Sequence, residues 1–231
     1  MPDRATAVRH VDGGGVRGHL HLPAGDSVAS LALTHGAGGD CTTKLLIDIA
    51  DTFSSRGVTV LRFDLAFRQA TSSGPPHPSK AEADRDSVRA AVGFLRQVGP
   101  ARLMLGGHSY GGRQASMAVA ERSDLASGLM LLSYPLHPPA KPEKMRTAHL
   151  ADIAVPTLFV SGTKDPFGTE AELRDAMNSI PAKTDFVSVS GAAHDLSAAK
   201  HRTAQRSWDA AVSLFSLETV RRTVSVPDTG R

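Results

Sequence analysis

Leu103-Met104-Leu105-Gly106-Gly107-His108-Ser109-Tyr110-Gly111-Gly112-Arg113 is the stretch around which the rest of the chain can be organised. Residues 102–106 form a short apolar run that reads as a buried strand, and the small residues from about 111 to 121 read as a helix. Ser109 stands at the turn between them. A side chain carried on so sharp a strand-to-helix turn has a strained backbone, and its neighbours two positions away must be small. Gly107 and Gly111 meet that need, and Gly106 and Gly112 add room. The letters G-x-S-x-G alone would equally describe a plain glycine turn. The strand before and the helix after make Ser109 a candidate nucleophile.

A serine hydroxyl is a poor nucleophile at neutral pH. It needs a base to take its proton, a group to orient that base, and donors for the oxyanion that forms. Asp165 follows an apolar run at 155–161, and His194 follows another at 184–189, so both sit past predicted strand ends in the order Ser, Asp, His. His194 is the candidate base and Asp165 its orienter. Asp165 also fits a surface carboxylate paired with Lys164, and His194 a solvated loop histidine. His35-Gly36-Ala37-Gly38-Gly39 follows the apolar run 28–34 and lets backbone approach a ligand closely. The backbone N–H groups of Ala37 and Tyr110 are the expected oxyanion donors. A phosphate-binding turn is the alternative, but neither a Lys-Ser/Thr ending nor a GxGxxG spacing is present. Cys41, just beyond this loop, lacks the turn geometry of a nucleophile and reads as packing.

Outward from these motifs, strands and helices alternate. Residues 16–22 alternate apolar and polar side chains, as an exposed antiparallel edge strand would. Further strands are expected at 28–34, 58–63, 127–133, 155–161 and 184–189, and helices at 43–56, 80–98, 168–178 and 199–217. Residues 65–78, rich in Ser, Gly and Pro, read as a long loop, and 134–150 as a proline-rich excursion. The pattern predicts an α/β fold: a mostly parallel sheet with helices on both faces and no large cap domain. One domain is expected over 1–218, with a flexible tail over 219–231.

Composition sets the outer limits. The hydrophobic fraction of 41% and charged fraction of 21% suit a globular chain with a buried sheet. A net charge of +3 with no dense basic run argues against nucleic acid as a partner. A single cysteine excludes an internal disulfide and a multi-Cys zinc site, and no metal or cofactor is expected. No apolar run approaches a membrane span, and Met1-Pro2-Asp3-Arg4 lacks the apolar core of a signal peptide. The expected setting is cytoplasmic, without a membrane partner, and homodimerisation is left open.

Thr34-His35-Gly36-Ala37-Gly38-Gly39-Asp40, Gly106 to Arg113, and Leu132-Ser133-Tyr134-Pro135-Leu136-His137-Pro138-Pro139 together carry a resemblance. Over nearly its whole length the chain resembles the dienelactone-hydrolase-like branch of the α/β-hydrolase superfamily. More narrowly, it is similar to the family of testis-expressed protein 30 and NSL complex subunit 3. The resemblance implies an α/β-hydrolase fold and a triad at Ser109, Asp165 and His194. Dienelactone hydrolases proper use cysteine where this chain has Ser109, so their substrate does not carry over. The loop Asp64-Leu65-Ala66-Phe67-Arg68 also departs from the narrower family.

The expected partner is a small-molecule acyl substrate, an ester, thioester or lactone of small or medium size, cleaved through an acyl-enzyme. Gly36, Phe67, Arg68, Tyr134, Leu136 and His137 are the expected substrate contacts. Arg68, Arg113 and Arg146 are candidates for holding a substrate carboxylate, although each also fits a solvated or ion-paired surface group. A non-catalytic interaction module on the same fold, or acyl transfer or perhydrolysis on the same triad, are the competing functions.

Overall fold

The computed structural model describes residues 6–196 and 199–217. Eight strands form one sheet in the order β1-β2-β4-β3-β5-β6-β7-β8. They are β1 (Ala7–Gly13), β2 (Val16–Leu22), β3 (Ala29–Thr34), β4 (Val58–Phe63), β5 (Leu103–His108), β6 (Gly128–Leu132), β7 (Thr157–Gly162) and β8 (Thr184–Val189). The pairs β1–β2 and β2–β4 are antiparallel, and every other neighbouring pair is parallel.

The central strands are buried on both faces because their alternate residues feed two different cores. Ala32, Leu103, Leu105, Leu129 and Leu131 point into one. Leu31, Leu33, Met104, Met130 and Leu132 point into the other. The first core is closed by α3 (Ala81–Val98), α4 (Tyr110–Glu121) and α5 (Glu170–Met177), the second by α1 (Lys44–Ser54) and α6 (Thr203–Phe215). Helix α1 buries Leu45, Leu46, Ile49, Ala50 and Phe53, and Phe53 meets Trp208 of α6 edge-on at 5.1 Å. Two layers of helix over a parallel sheet put every βα connection of the parallel strands at one edge, where β3, β5, β7 and β8 all end.

Four expectations are corrected. Residues 16–22 are not the sheet edge: β1 lies outside them, in register from Ala7↔Leu22 to Gly13↔Val16. The two strands join through Gly14 and Gly15, both at positive φ (60° and 79°), the tight turn that hairpin twist requires. Residues 65–78 are not all loop, since Ala66–Ala70 form a short helix, α2. Five residues are too few to show a helical period. Its end carbonyls are instead satisfied from afar, Arg17 donating to the Arg68 and Gln69 oxygens. The final helix does not run unbroken from 199. A 3₁₀ turn (Ala199–His201) comes first, and Arg202 in left-handed backbone (φ 50°, ψ 38°) separates it from α6. Finally, the segment between β6 and the 3₁₀ turn Leu150–Asp152 holds no helix or strand, as expected, but Tyr134, Leu136 and His137 at its start are packed into the core and do not project as an excursion.

The tail expected over 219–231 lies outside the described residues. Among the described residues, no helix is long and apolar enough to cross a membrane.

Candidate active site

Ser109 is the residue between β5 and α4, with φ 50° and ψ −117°. That conformation costs a non-glycine residue of order 1–3 kcal/mol and persists only where its surroundings over-determine it. Here they do. The Ser109 N–H donates to Leu132 O at 2.8 Å, and its carbonyl accepts from Arg113 N at 3.0 Å. The glycines allow backbone to close in around it. A Cβ on Gly107 would lie 2.7 Å from the Gly111 carbonyl carbon, and one on Gly111 would lie 2.3 Å from His35 O.

Strand β7 delivers Asp165 and β8 delivers His194, and a second close approach joins their loops. A Cβ on Gly162 would meet Ala192 O at 2.3 Å, and Lys164 N donates to that same oxygen at 2.9 Å. His194 Nδ1 then stands 2.9 Å from both Asp165 carboxylate oxygens, and His194 Nε2 stands 2.8 Å from Ser109 Oγ. With Asp165 ionised, Nδ1 carries the proton, and Nε2 is left to accept the Ser109 hydroxyl. Burial alone would push the Asp165 carboxyl up. The hydrogen bond from His194, its charge and the Phe167 N–H at 2.9 Å outweigh burial and hold it below the ordinary carboxylate value. Lys164 is exposed and makes no ion pair with Asp165.

The Ala37 amide is aimed by its neighbours. Gly36 O accepts from His35 Nδ1 at 2.9 Å and from Gly39 N at 3.2 Å. Across a trans peptide the Ala37 N–H points away from that carbonyl. His35 is fully buried and its pKa is lowered, chiefly by burial; its Nε2 accepts from Leu65 N at 3.2 Å, so the ring is neutral with its proton on Nδ1. Tyr110 is the first residue of α4, so its N–H has no partner within the helix. Ala37, Ser109 and Tyr110 line one cavity of about 550 Å³, a size that suits a small ligand.

The rest of that cavity differs from the sequence expectation. Pro75, Pro76 and Pro78 form one side, Arg113, Gln114 and Met117 of α4 another, and Pro135, Arg146 and Phe167 complete it. Gly36, Phe67, Arg68, Tyr134, Leu136 and His137 are not among its lining residues. Gly36 is buried against the ring of His108. Phe67 is wedged edge-on between the rings of His35 and Tyr110. Arg68 is 4% exposed and donates to the carbonyls of Ala37, Gly39 and Gly74, so it braces the glycine loop from behind. Tyr134 lies in the core against Phe159, its hydroxyl donating to Arg146 O at 2.6 Å. Leu136 is fully buried, and the His137 N–H donates to Phe167 O.

Three residues at the site escaped the sequence reading. Phe167 stacks on His194 at 4.3 Å, tilted by 34°. His108 Nε2 donates to the His194 carbonyl at 2.8 Å, and burial pushes its pKa down to about 4, so the ring is neutral. Asp84 accepts from the Tyr110 hydroxyl at 2.7 Å and from Phe67 N at 3.0 Å. For Asp84 a signal existed: it falls on the same stripe of α3 as Val88, Ala91, Val92 and Leu95, and a carboxylate on an apolar stripe must have partners. Cys41 is buried with its thiol pushed up to about 12, chiefly by burial and then by Asp64. That excludes it as a thiolate nucleophile at neutral pH.

The family profile described as "Alpha/beta hydrolase domain" matches residues 27–218. Among solved structures, the chain is similar to dienelactone hydrolase from Anabaena variabilis, with 20% identity and a TM-score of 0.71 over 91% of this chain and 97% of that one. Est1E from Butyrivibrio proteoclasticus is similar at 15% identity and a TM-score of 0.72, over 90% of this chain and 99% of that one. XC6422 from Xanthomonas campestris, described as an a/b serine hydrolase without lid, gives 18% identity and 0.65 over 92% and 93%. At these identities the likeness is one of fold.

Proposed function

This chain belongs to the alpha/beta hydrolase domain family, and from that premise we propose that it is a serine hydrolase cleaving a small or medium ester, thioester or lactone through an acyl-enzyme on Ser109. The observation that carries the proposal is the continuous relay from Ser109 Oγ to His194 Nε2 (2.8 Å) and from His194 Nδ1 to Asp165 (2.9 Å). It opens onto a cavity that also holds Ala37 and Tyr110.

Ser109 Oγ attacks the carbonyl carbon while its proton passes to His194 Nε2. Asp165 keeps the imidazole in the required tautomer and stabilises the imidazolium. The carbonyl oxygen becomes an oxyanion held by the N–H groups of Ala37 and Tyr110. Collapse expels the alkoxide or thiolate, which takes the proton from His194, and Ser109 is left acylated. A water then gives a proton to His194 and attacks the acyl carbon. The acid leaves and Ser109 regains its proton. Phe167 against the imidazole and the His108 bond to the His194 backbone limit how far the base can swing.

The narrower kinship, with the family of testis-expressed protein 30 and NSL complex subunit 3, is part of the same proposal. It is supported by the use made of Leu132–Pro139, where Ser133 adopts φ 46°, Tyr134 and Leu136 are buried, and Pro135 reaches the cavity. The test is turnover of p-nitrophenyl acetate and butyrate, with a pre-steady-state burst matching the enzyme concentration. Ser109→Ala should lower turnover about a thousandfold or more. Turnover unaffected by that change would refute the assignment.

A further inference from the structure

Among the described residues, most arginines are matched. Arg17 meets Asp64, Arg85 and Arg89 meet Glu121, Arg122 meets Asp124 and Arg174 meets Glu170. Others bind carbonyls, as Arg68 and Arg102 do. Arg113 and Arg146, which face the same cavity as Ser109, are different. Arg146 spends one N–H on Pro135 O at 3.1 Å and reaches no carboxylate. The Arg113 guanidinium makes no hydrogen bond or ion pair among the described residues, and its Nε is buried without an acceptor. Gln114 beside them is fully buried; its Oε1 accepts from Arg85, which leaves Nε2 as a third donor with no acceptor.

Two guanidinium groups on one partly buried wall repel each other and lose hydration together. Burial, and then the charge of Arg113, hold Arg146 below the ordinary guanidinium range. His149, which also feels the charge of Arg113, is pushed down to about 4, chiefly by burial and then by that charge. Among the described residues neither guanidinium is within ion-pair distance of a carboxylate, and the two carboxylates beside the Ser109 turn are engaged elsewhere, Asp84 by Tyr110 and Phe67 and Asp165 by His194. An arrangement that is unfavourable when empty becomes favourable when an anion enters it. The remaining wall is apolar, with Met117, Pro135 and Phe167, which suits a carbon chain ending in a planar carboxylate that guanidinium forks can bind.

We propose that Arg113 and Arg146, with Gln114, form an anion subsite that selects substrates carrying a free carboxylate, so that the natural substrate is the half-ester or half-thioester of a dicarboxylic acid or a close analogue. The selectivity part rests on the hydrolase reading above. The subsite itself does not.

Two measurements separate them. The first compares kcat/KM for mono-p-nitrophenyl glutarate with that for its neutral isostere, p-nitrophenyl 5-methylhexanoate. The native protein should favour the charged ester by about tenfold or more, and Arg113→Gln and Arg146→Gln should each lower that ratio by about fivefold or more. The second titrates glutarate and glutaramide into the Ser109→Ala protein by calorimetry. Glutarate should bind, glutaramide should not, and adding Arg113→Gln should weaken glutarate by about tenfold or more. Arg113→Lys, which keeps the charge but not the fork, should retain part of the binding and guards against a folding defect. Ester turnover without preference and without glutarate binding overturns the subsite and leaves the hydrolase intact. Arg113-dependent glutarate binding without any turnover upholds the subsite and overturns the hydrolase. Neither turnover nor binding overturns both.

Discussion

Two pairs of side chains belong to the Ser109 site: His194 and Asp165, which form the relay to its hydroxyl, and Arg113 and Arg146, which line its cavity. The first pair is tied at both ends: Asp165 accepts from His194 and Phe167 N, and His194 is held by Asp165, Ser109 and, through its carbonyl, His108. In the second pair one Arg146 N–H is received by Pro135 O, and the Arg113 guanidinium has no acceptor among the described residues. Both walls rise from the same end of the sheet, so packing alone does not explain the contrast. Groups that must act on a reacting bond gain from being fixed before the substrate arrives. Groups that recognise a ligand gain from being left incomplete until it does. The difference marks one wall as fit for chemistry and the other as fit for selection.

The comparison breaks most sharply at the tied wall. Asp165→Asn should leave the fold standing but lower ester turnover by about 10⁴-fold, because the amide stabilises the wrong imidazole tautomer. A loss under about tenfold would mean that His194 is not oriented through Asp165. The effect at the open wall should be an order of magnitude or so and confined to charged substrates, as set out above.

A smaller contrast separates two glycines near Ser109. Gly111→Ala places a methyl 2.3 Å from His35 O, whereas a methyl on Gly38 meets nothing within 4 Å. Thermal unfolding should show the first lowering Tm by several degrees and the second leaving it within about a degree. Equal effects would contradict the tight closure proposed around the Ser109 turn.

Acid should act on the whole molecule more gently. His21, His108 and His149 are each lowered from 6.5 to about 4, chiefly by burial. Between those values the unfolded chain binds more protons than the folded one, so stability falls as pH drops from about 6.5 toward 4. Asp165, also lowered, contributes stability that is lost only below that window. Urea midpoints measured from pH 7 to pH 4.5 should decline steadily, and His149→Gln should make the decline shallower. A flat profile would show that these rings are not buried neutral.

The juxtaposition of Ser109, Asp165 and His194 could be read from sequence because each follows an apolar strand and has glycines close by that mark a tight approach. Order and spacing were enough to bring them together on paper. The hairpin partner β1 was missed because its residues are mostly exposed and carry no apolar alternation, although Gly13-Gly14-Gly15 was a usable turn signal. Helix α2 is not legible because five residues show no period and its last carbonyls, those of Arg68 and Gln69, are capped by Arg17, some fifty residues earlier. The cavity wall was the least legible part. Tyr134 and Leu136 turn inward while Pro135 between them faces the cavity, and Arg68 turns behind the glycine loop while Arg113 does not. Those choices are made by packing against Phe159 and the β3–α1 loop, and a string of letters does not contain them.

Covalent labelling tests the core of this picture with the fewest assumptions. The native protein, treated with a fluorophosphonate and digested, should gain one phosphonyl group per chain, located by mass spectrometry on Ser109. His194→Ala should slow the labelling strongly, and Ser109→Ala should abolish it. A native chain that stays unmodified under conditions that saturate a known serine hydrolase, or that is modified on any other residue, would contradict the role given to Ser109.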